Sequence, residues 1–122
     1  MGDIIQYNIR GLKSVESRGK KVGRILKILA EHETKFVSLQ ETRLTDITQI
    51  PKEFVHLKHI YHIVFCGATE LDLGGGILIF VKKTEDILKE SILVDGRLVY
   101  IQTKNLVTET ITNWFSIYGK SN

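Results

Sequence analysis

Residues 77–81 read Ile-Leu-Ile-Phe-Val, and this run constrains the fold more than any other segment of the chain. Successive side chains of a strand point to opposite faces of its sheet, so a strand with one solvated face shows alternating apolar and polar residues. In this run both faces are apolar. We therefore expect the sheet that contains it to be covered on both sides.

The first third of the chain predicts a strand, a helix and a second strand. Residues 4–9 and 35–40 have the β-branched and aromatic content typical of strands. Between residues 17 and 32, apolar side chains recur at helical spacing. They are Val22, Ile25, Leu26 and Leu29. We expect the two strands to be parallel, so that both end at one sheet edge, where ligand sites of α/β proteins commonly lie.

The rest of the chain predicts a turn-rich segment and then mostly strands. Residues 46–57, around Pro51, read as a turn with a short irregular helix. Further strands are predicted over residues 60–65, 76–82, 92–94, 98–103 and 110–118. The Asp95-Gly96 pair predicts a tight hairpin. The helix can cover one face of the sheet, and we expect the cover of the other face to come from outside this chain.

Composition indicates one soluble globular domain. The chain has 122 residues, of which 43% are hydrophobic and 25% are charged. A single cysteine, Cys66, excludes a disulfide framework and a CxxC metal site. No apolar run reaches the roughly 18 residues that span a bilayer, and no secretion segment begins the chain. We expect an intracellular protein, nuclear or cytoplasmic, with no membrane partner.

Basic residues are concentrated near the start of the chain. Residues 1–30 contain seven Lys or Arg residues and two acidic residues. Three of the basic residues, Lys20, Lys21 and Arg24, lie on the polar side of the predicted helix. Such a region favours a phosphate-bearing partner. The simpler alternative is that these side chains form the solvated face of the helix.

Asn8 and Glu41 stand at the ends of the two predicted parallel strands. Amide and carboxylate oxygens are hard ligands that suit Mg²⁺ or Mn²⁺. Mg²⁺ often uses only one or two carboxylates and leaves its other positions to water and substrate phosphate. The pair is therefore consistent with a phosphoester enzyme. Asn and Glu are, however, also common at the exposed ends of strands that have no function.

Four motifs in order carry a resemblance to a known family. Residues 7–12 read YNIRGL, residues 39–43 read LQETR, residues 74–79 read GGGILI and residues 117–119 read IYG. Together they resemble the endonuclease/exonuclease/phosphatase superfamily. The combination of NIRGL with LQETRL most resembles the endonuclease domains of LINE-type retrotransposons, which are relatives of exonuclease III and the apurinic endonucleases. The resemblance covers essentially the whole chain.

The resemblance implies an α+β fold, which would be half of a four-layer α/β sandwich, with one mixed sheet and a helix on one face. It also implies Mg²⁺-dependent hydrolysis of a phosphodiester in DNA. Glu41 would be the metal-binding carboxylate, Asn8 would help to orient the metal site, and Tyr118 would donate a hydrogen bond to the scissile phosphate. The neighbours that would fix Glu41 or approach the DNA backbone are Arg10, Gln40, Thr42 and Arg43.

The chain departs from the family pattern in its later motifs. The Gly-Asp-x-Asn and Ser-Asp-His segments of the family do not occur in the 122 residues. We therefore expect residues 1–122 to be one truncated domain, an N-terminal half that is inactive alone. A complementary half-domain, or self-association through the exposed sheet face, would cover the apolar strands. The alternatives are a non-catalytic remnant that binds nucleic acid or another partner and, within the superfamily, a phosphatase or lipid phosphodiesterase.

Overall fold

The computed structural model describes residues 4–31 and 34–119. The chain begins with strand β1 (Ile4–Asn8), helix α1 (Val15–Glu31) and strand β2 (Phe36–Gln40). A segment of short helical turns follows, comprising a 3₁₀ turn (Ile47–Gln49), helix α2 (Lys52–Val55) and a second 3₁₀ turn (His56–His59). The remaining strands are β3 (Tyr61–Cys66), β4 (Ile77–Lys82), β5 (Glu85–Val94), β6 (Leu98–Asn105) and β7 (Ile111–Ile117).

The seven strands form two sheets. The first sheet has the order β1-β2-β4-β3, in which β1 and β2 are parallel and the other pairs are antiparallel. The second sheet, β5-β6-β7, is antiparallel throughout. The α+β class is thus confirmed, as is a mixed sheet with a helix on one face, consistent with half of an α/β sandwich.

Helix α1 covers one face of the first sheet. Its apolar stripe, with Val22, Ile25 and Leu29 buried, packs in one cluster with the β2 and β4 side chains Leu39 and Phe80. The helix forms here because apolar residues at helical spacing can be buried together on one face. In the described part of the chain, neither α1 nor any other helix is long and apolar enough to cross a membrane.

The second sheet covers the opposite face of the first. Ile77, Ile79 and Val81 of β4 share a cluster with Ile101 of β6 and Trp114 of β7. The expectation that this cover comes from outside the chain is therefore wrong. The run at residues 77–81 is apolar on both sides because it lies between α1 and the second sheet, and every residue of it is buried.

Strand β5 is longer than predicted. It runs over Glu85–Val94, whereas the sequence pattern predicted a strand only over residues 92–94. The pairing of β5 with β6 shifts register between Ile87 and Lys89 and again between Ile92 and Val94. Because each such irregularity changes the face on which later side chains lie, the strand has no regular alternation that sequence reasoning could detect.

The uncovered apolar face of the described residues belongs to the second sheet. Along β7, Trp114 and Ser116 are buried, whereas Ile111, Phe115 and Ile117 are exposed. These three exposed residues define what we call the outer β7 face. The exposed face that the sequence predicted on the strand at residues 77–81 is covered, so that prediction is wrong, and the outer β7 face is a different surface.

The first prediction concerns the contact between the two sheets. Trp114 stacks on Phe36 with ring centroids 4.9 Å apart, and its indole Nε1–H donates to Thr103 Oγ1 at 2.8 Å. We expect Trp114→Ala to lower the free energy of unfolding by about 3–5 kcal/mol, because it leaves a cavity and removes the indole donor from the Thr103 hydroxyl. Urea unfolding followed by circular dichroism measures this loss.

The matched control for this prediction is Phe115→Ala. Phe115 is the next aromatic residue of the same strand but faces outward, is 47% exposed and contacts the ring of Tyr100. We expect Phe115→Ala to lower the free energy of unfolding by only about 1 kcal/mol. Equal losses for the two variants would show that β7 does not pack on the first sheet through Trp114.

Candidate functional site

The ends of β1 and β2 lie side by side. Asn8, the last residue of β1, is in register with Gln40, the last residue of β2. The next backbone amide, that of Ile9, donates to the Gln40 carbonyl at 3.0 Å, so the pairing continues beyond both strands. Asn8 and Glu41 therefore lie at the same sheet edge, as parallel pairing requires.

The backbone is in the left-handed region at three residues of this edge. Arg10, Glu41 and Arg43 have φ values of 54°, 57° and 60°. Positive φ is uncommon for residues other than glycine and costs free energy, so it persists only where surrounding contacts hold it. Such conformations concentrate at functional sites, and here they flank the two strand ends that carry Asn8 and Glu41.

Backbone hydrogen bonds hold Glu41 from both sides. On the β1 side, the Gly11 amide donates to the Glu41 carbonyl at 2.7 Å. On the β4 side, the amides of Thr42 and Arg43 donate to the carbonyls of Gly76 and Gly75 at 3.1 and 2.8 Å. Gly76 has φ +101°, and a Cβ atom there would collide with the Thr42 hydroxyl. The glycines before β4 thus allow close backbone contact with the segment that carries Glu41.

The Glu41 carboxylate is held by two side chains. The hydroxyl of Tyr118, which follows β7, donates to Glu41 Oε1 at 3.1 Å, and Arg43 Nη2 lies 3.4 Å from the same oxygen. The Glu41 side chain is 15% exposed and that of Arg43 is 48% exposed. The site therefore combines a carboxylate from the first sheet with a phenol from the end of the second.

Two polar contacts join the sheets next to this carboxylate. Gln40 Nε2 donates to the Ile117 carbonyl of the second sheet at 2.9 Å. Within the first sheet it also donates to Gln6 Oε1 at 2.5 Å. Deeper between the sheets, the hydroxyls of Ser38 and Ser116 are hydrogen-bonded at 2.5 Å, and both residues are fully buried. Because buried polar groups need partners, these bonds favour one alignment of β7 over β2.

A basic pocket of about 340 Å³ lies beside Asn8. Its lining residues are Tyr7, Asn8, Ile9, Arg10, Lys21 and Arg24. Lys21 Nζ donates to the carbonyls of Arg10 and Gly11, both at 2.9 Å, and Arg24 Nη1 donates to the Tyr7 hydroxyl at 2.9 Å. The structure therefore gathers three of the predicted basic residues at one pocket. Lys20 is exposed on α1 and is not one of the lining residues.

Glu41 and Asn8 fit part of a Mg²⁺ site. Within residues 4–31 and 34–119, no three His, Cys, Asp or Glu side chains come together as a metal cluster. The described contacts of the Glu41 carboxylate both fall on Oε1. Asn8 Oδ1 accepts one bond, from the Arg10 amide at 3.0 Å, and an amide oxygen has two lone pairs. Glu41 supplies the carboxylate that Mg²⁺ often takes from a protein, and Asn8 brings a hard amide oxygen to the same sheet edge.

Sequence reasoning missed an ion pair that contacts Tyr118. Arg97 donates two hydrogen bonds to the Asp72 carboxylate, and its Cζ atom lies 4.3 Å from the centre of the Tyr118 ring. Hydrogen bonding to Asp72 holds the pKa of the Arg97 guanidinium above its ordinary value, against the opposing effect of burial. No local pattern reveals this contact, because the three residues lie in separate segments of the sequence.

Comparisons with known proteins identify the fold. No family model and no curated protein matches the chain. A structure of TDP2 from Caenorhabditis elegans matches with a TM-score of 0.65 and 15% identity, over 96% of this chain and 35% of that one. AP endonuclease LMAP from Leishmania major matches with a TM-score of 0.61 and 16% identity, over 94% and 39%. The APE2 catalytic domain from Xenopus laevis matches with a TM-score of 0.59 and 15% identity, over 94% of this chain and 44% of that one.

These similarities show that the chain has the endonuclease/exonuclease/phosphatase fold. At 15–16% identity they show the fold alone. The chain spans less than half the length of each of the three proteins.

Proposed function

We propose that this chain is the N-terminal part of a Mg²⁺-dependent phosphodiesterase that acts on DNA, of the type found in LINE-type retrotransposon endonuclease domains. The observation that carries the proposal is Glu41, a strand-end carboxylate in a left-handed conformation that accepts a hydrogen bond from Tyr118 and lies at the same sheet edge as Asn8. The order of the NIRGL and LQETRL motifs supports it further. So does the fold, because two of the similar structures described above are an AP endonuclease and an APE2 catalytic domain.

In this proposal, Glu41 and Asn8 would hold the ion through a carboxylate oxygen and an amide oxygen. When bound, the ion would polarise a phosphoryl oxygen. Tyr118 has one O–H, which donates to Glu41 here, and in this proposal that O–H turns to a phosphate oxygen when DNA binds. Arg43 keeps a positive charge at the same carboxylate, and its exposure leaves the guanidinium accessible to a DNA phosphate.

The basic pocket extends this surface for the DNA backbone. Lys21 uses its ammonium to hold the loop carbonyls that follow β1, and so it acts on the shape of the pocket as well as on its charge. Arg10 and Arg24 are exposed, so their charges can meet phosphate oxygens. We assign the pocket a sequence-independent, backbone-binding role.

We expect the 122-residue chain to be inactive by itself. Hydrolysis needs an activated water and a stabilised leaving group in addition to a polarised phosphate. The described residues bring together no cluster of three acidic, His or Cys side chains that could share these tasks. A second candidate function, which the basic pocket supports, is a non-catalytic module that binds nucleic acid.

We further propose that a complementary half-domain covers the outer β7 face in the complete protein, and that a second copy of this chain covers it in isolation. Ile111, Phe115 and Ile117 are 55%, 47% and 60% exposed on that face. Large apolar side chains exposed on one face of a strand at the edge of a sheet favour association.

The metal assignment is tested by Mn²⁺ binding with Mg²⁺ competition, measured from the electron paramagnetic resonance signal of free Mn²⁺. We expect Glu41→Gln to weaken binding by at least about tenfold, because it removes the charged ligand. Glu109→Gln is the matched control, since Glu109 is also a glutamate with positive φ but is exposed and lies just before β7.

Plasmid nicking in Mg²⁺ completes this test. We expect no nicking by the chain alone. Nicking that Glu41→Gln abolishes would overturn the expected inactivity while supporting the phosphodiesterase assignment. Equal Mn²⁺ affinity of the chain and the Glu41→Gln variant would contradict the assignment itself.

The DNA-binding role predicts that Arg24→Gln weakens duplex binding and lowers the slope of log affinity against log salt by about 1. Fluorescence anisotropy over a salt series measures both. The control is Lys27→Gln on the same helix, because Lys27 is paired with Glu31 at 3.8 Å and does not line the pocket. Indifference of the salt slope to Arg24→Gln would count against the pocket as the DNA-binding surface. Binding without nicking would favour the non-catalytic module.

The outer β7 face predicts concentration-dependent association in sedimentation velocity. We expect the double variant Phe115→Gln, Ile117→Gln to shift the chain to monomer. Leu106→Gln with Val107→Gln is the control, because these residues are 62% and 86% exposed but lie in the turn after β6. A compact monomer at high concentration of the unmodified chain would contradict association through this face.

A further inference from the structure

Three contacts from other segments locate Tyr118. Its backbone amide donates to the Arg97 carbonyl at 2.7 Å, and the preceding carbonyl, of Ile117, accepts from Gln40 at 2.9 Å. The hydroxyl donates to Glu41. These contacts fix the backbone and the tip of the side chain. They leave the rotation of the ring about its own axis to be set by what lies against its face.

The Arg97 guanidinium lies against that face, and Asp72 holds it in place. Arg97 Nη2 donates to Asp72 Oδ1 at 2.5 Å, and Nε donates to Oδ2 of the same carboxylate. A two-point pair of this kind fixes the plane of the guanidinium as well as its position. The side chains are only 13% and 24% exposed, so water competes weakly for the pair.

The turn that carries Asp72 also supports Glu41. Asp72 accepts the Gly75 amide at its own carbonyl, at 3.2 Å, and donates its amide to the Thr69 carbonyl at 3.0 Å. Gly75 in turn accepts the Arg43 amide. The segment over residues 69–76 therefore contacts the two residues after Glu41 through the backbone, and Tyr118 through Arg97.

We propose that Arg97, held by Asp72, is a positioning residue that fixes the ring of Tyr118 so that its hydroxyl stays on the Glu41 carboxylate. A planar cation over an aromatic face is attractive and shape-specific, and a lysine ammonium cannot reproduce the two-point pair with Asp72. The catalytic meaning of this inference rests on the proposed function, whereas the placement of the ring can be measured without activity.

The test uses the full chain labelled with 3-fluorotyrosine and observed by ¹⁹F NMR without metal. The chain has four tyrosines, and Tyr118→Phe identifies the Tyr118 signal. We expect Arg97→Gln and Arg97→Lys each to move that signal most of the way towards free 3-fluorotyrosine, while the signals of Tyr7, Tyr61 and Tyr100 stay in place. Asp72→Asn should give a smaller shift in the same direction, because it weakens the pair without removing the cation.

Lys104→Gln is the matched control. It also removes one positive charge, but from within β6, where Lys104 is paired with Glu109 at 3.8 Å, and it should leave the Tyr118 signal unchanged. An unchanged Tyr118 signal in Arg97→Gln would overturn the proposal. A shift of all four signals in the milder Arg97→Lys variant would overturn it as well, because Arg97 would then support the fold in general.

Failure of this inference can be told apart from failure of the proposed function. The inference depends on the metal-free spectra of the Arg97 and Asp72 variants. The proposed function depends on whether added Mg²⁺ moves the Tyr118 signal of the unmodified chain, and on whether Glu41→Gln abolishes that response. Either result can be obtained without the other.

Discussion

The face-to-face packing of the two sheets is the interaction on which the candidate site depends. Glu41 continues β2 of the first sheet, and Tyr118 continues β7 of the second, so their hydrogen bond exists only when the sheets are aligned. The apolar cluster between the sheets provides most of the driving force for their packing, because it removes large side chains from water. It does not by itself select one alignment, since apolar contact is non-directional.

The buried polar bonds supply the direction that apolar contact lacks. Sliding one sheet over the other would separate the hydroxyls of Ser38 and Ser116 inside the core, and an unpaired buried hydroxyl costs about 1–3 kcal/mol. The bond from Gln40 to the Ile117 carbonyl adds a second constraint one step from Glu41. Hydrogen bonds therefore fix the alignment of the sheets both in the core and beside the site.

Much of the fold could be predicted from the sequence, and the errors have physical causes. The helix was predicted over residues 17–32 and is found at Val15–Glu31, because its apolar spacing is regular. The double-sided strand at residues 77–81 was recognised as buried on both sides. The cover of its second face was wrongly expected to come from outside the chain, because β5, with two shifts of register, has no regular alternation that predicts a full second sheet. At the candidate site, motif order pointed to Asn8, Glu41 and Tyr118, whose roles stay predictions, whereas Arg97 and Asp72 carry no local signal.

The sequence pattern by itself determined most of the secondary structure, because apolar periodicity follows the type of element. It also determined the parallel start of the first sheet and the placement of Asn8 and Glu41 at one edge, because these follow from the geometry of a strand-helix-strand unit. The three-dimensional packing determined what surrounds them. Tyr118 meets Glu41, and Arg97 meets Tyr118, only because residues that are distant in sequence are brought together where the sheets end. Periodicity reports which face of an element is buried, but not which other element will lie against it.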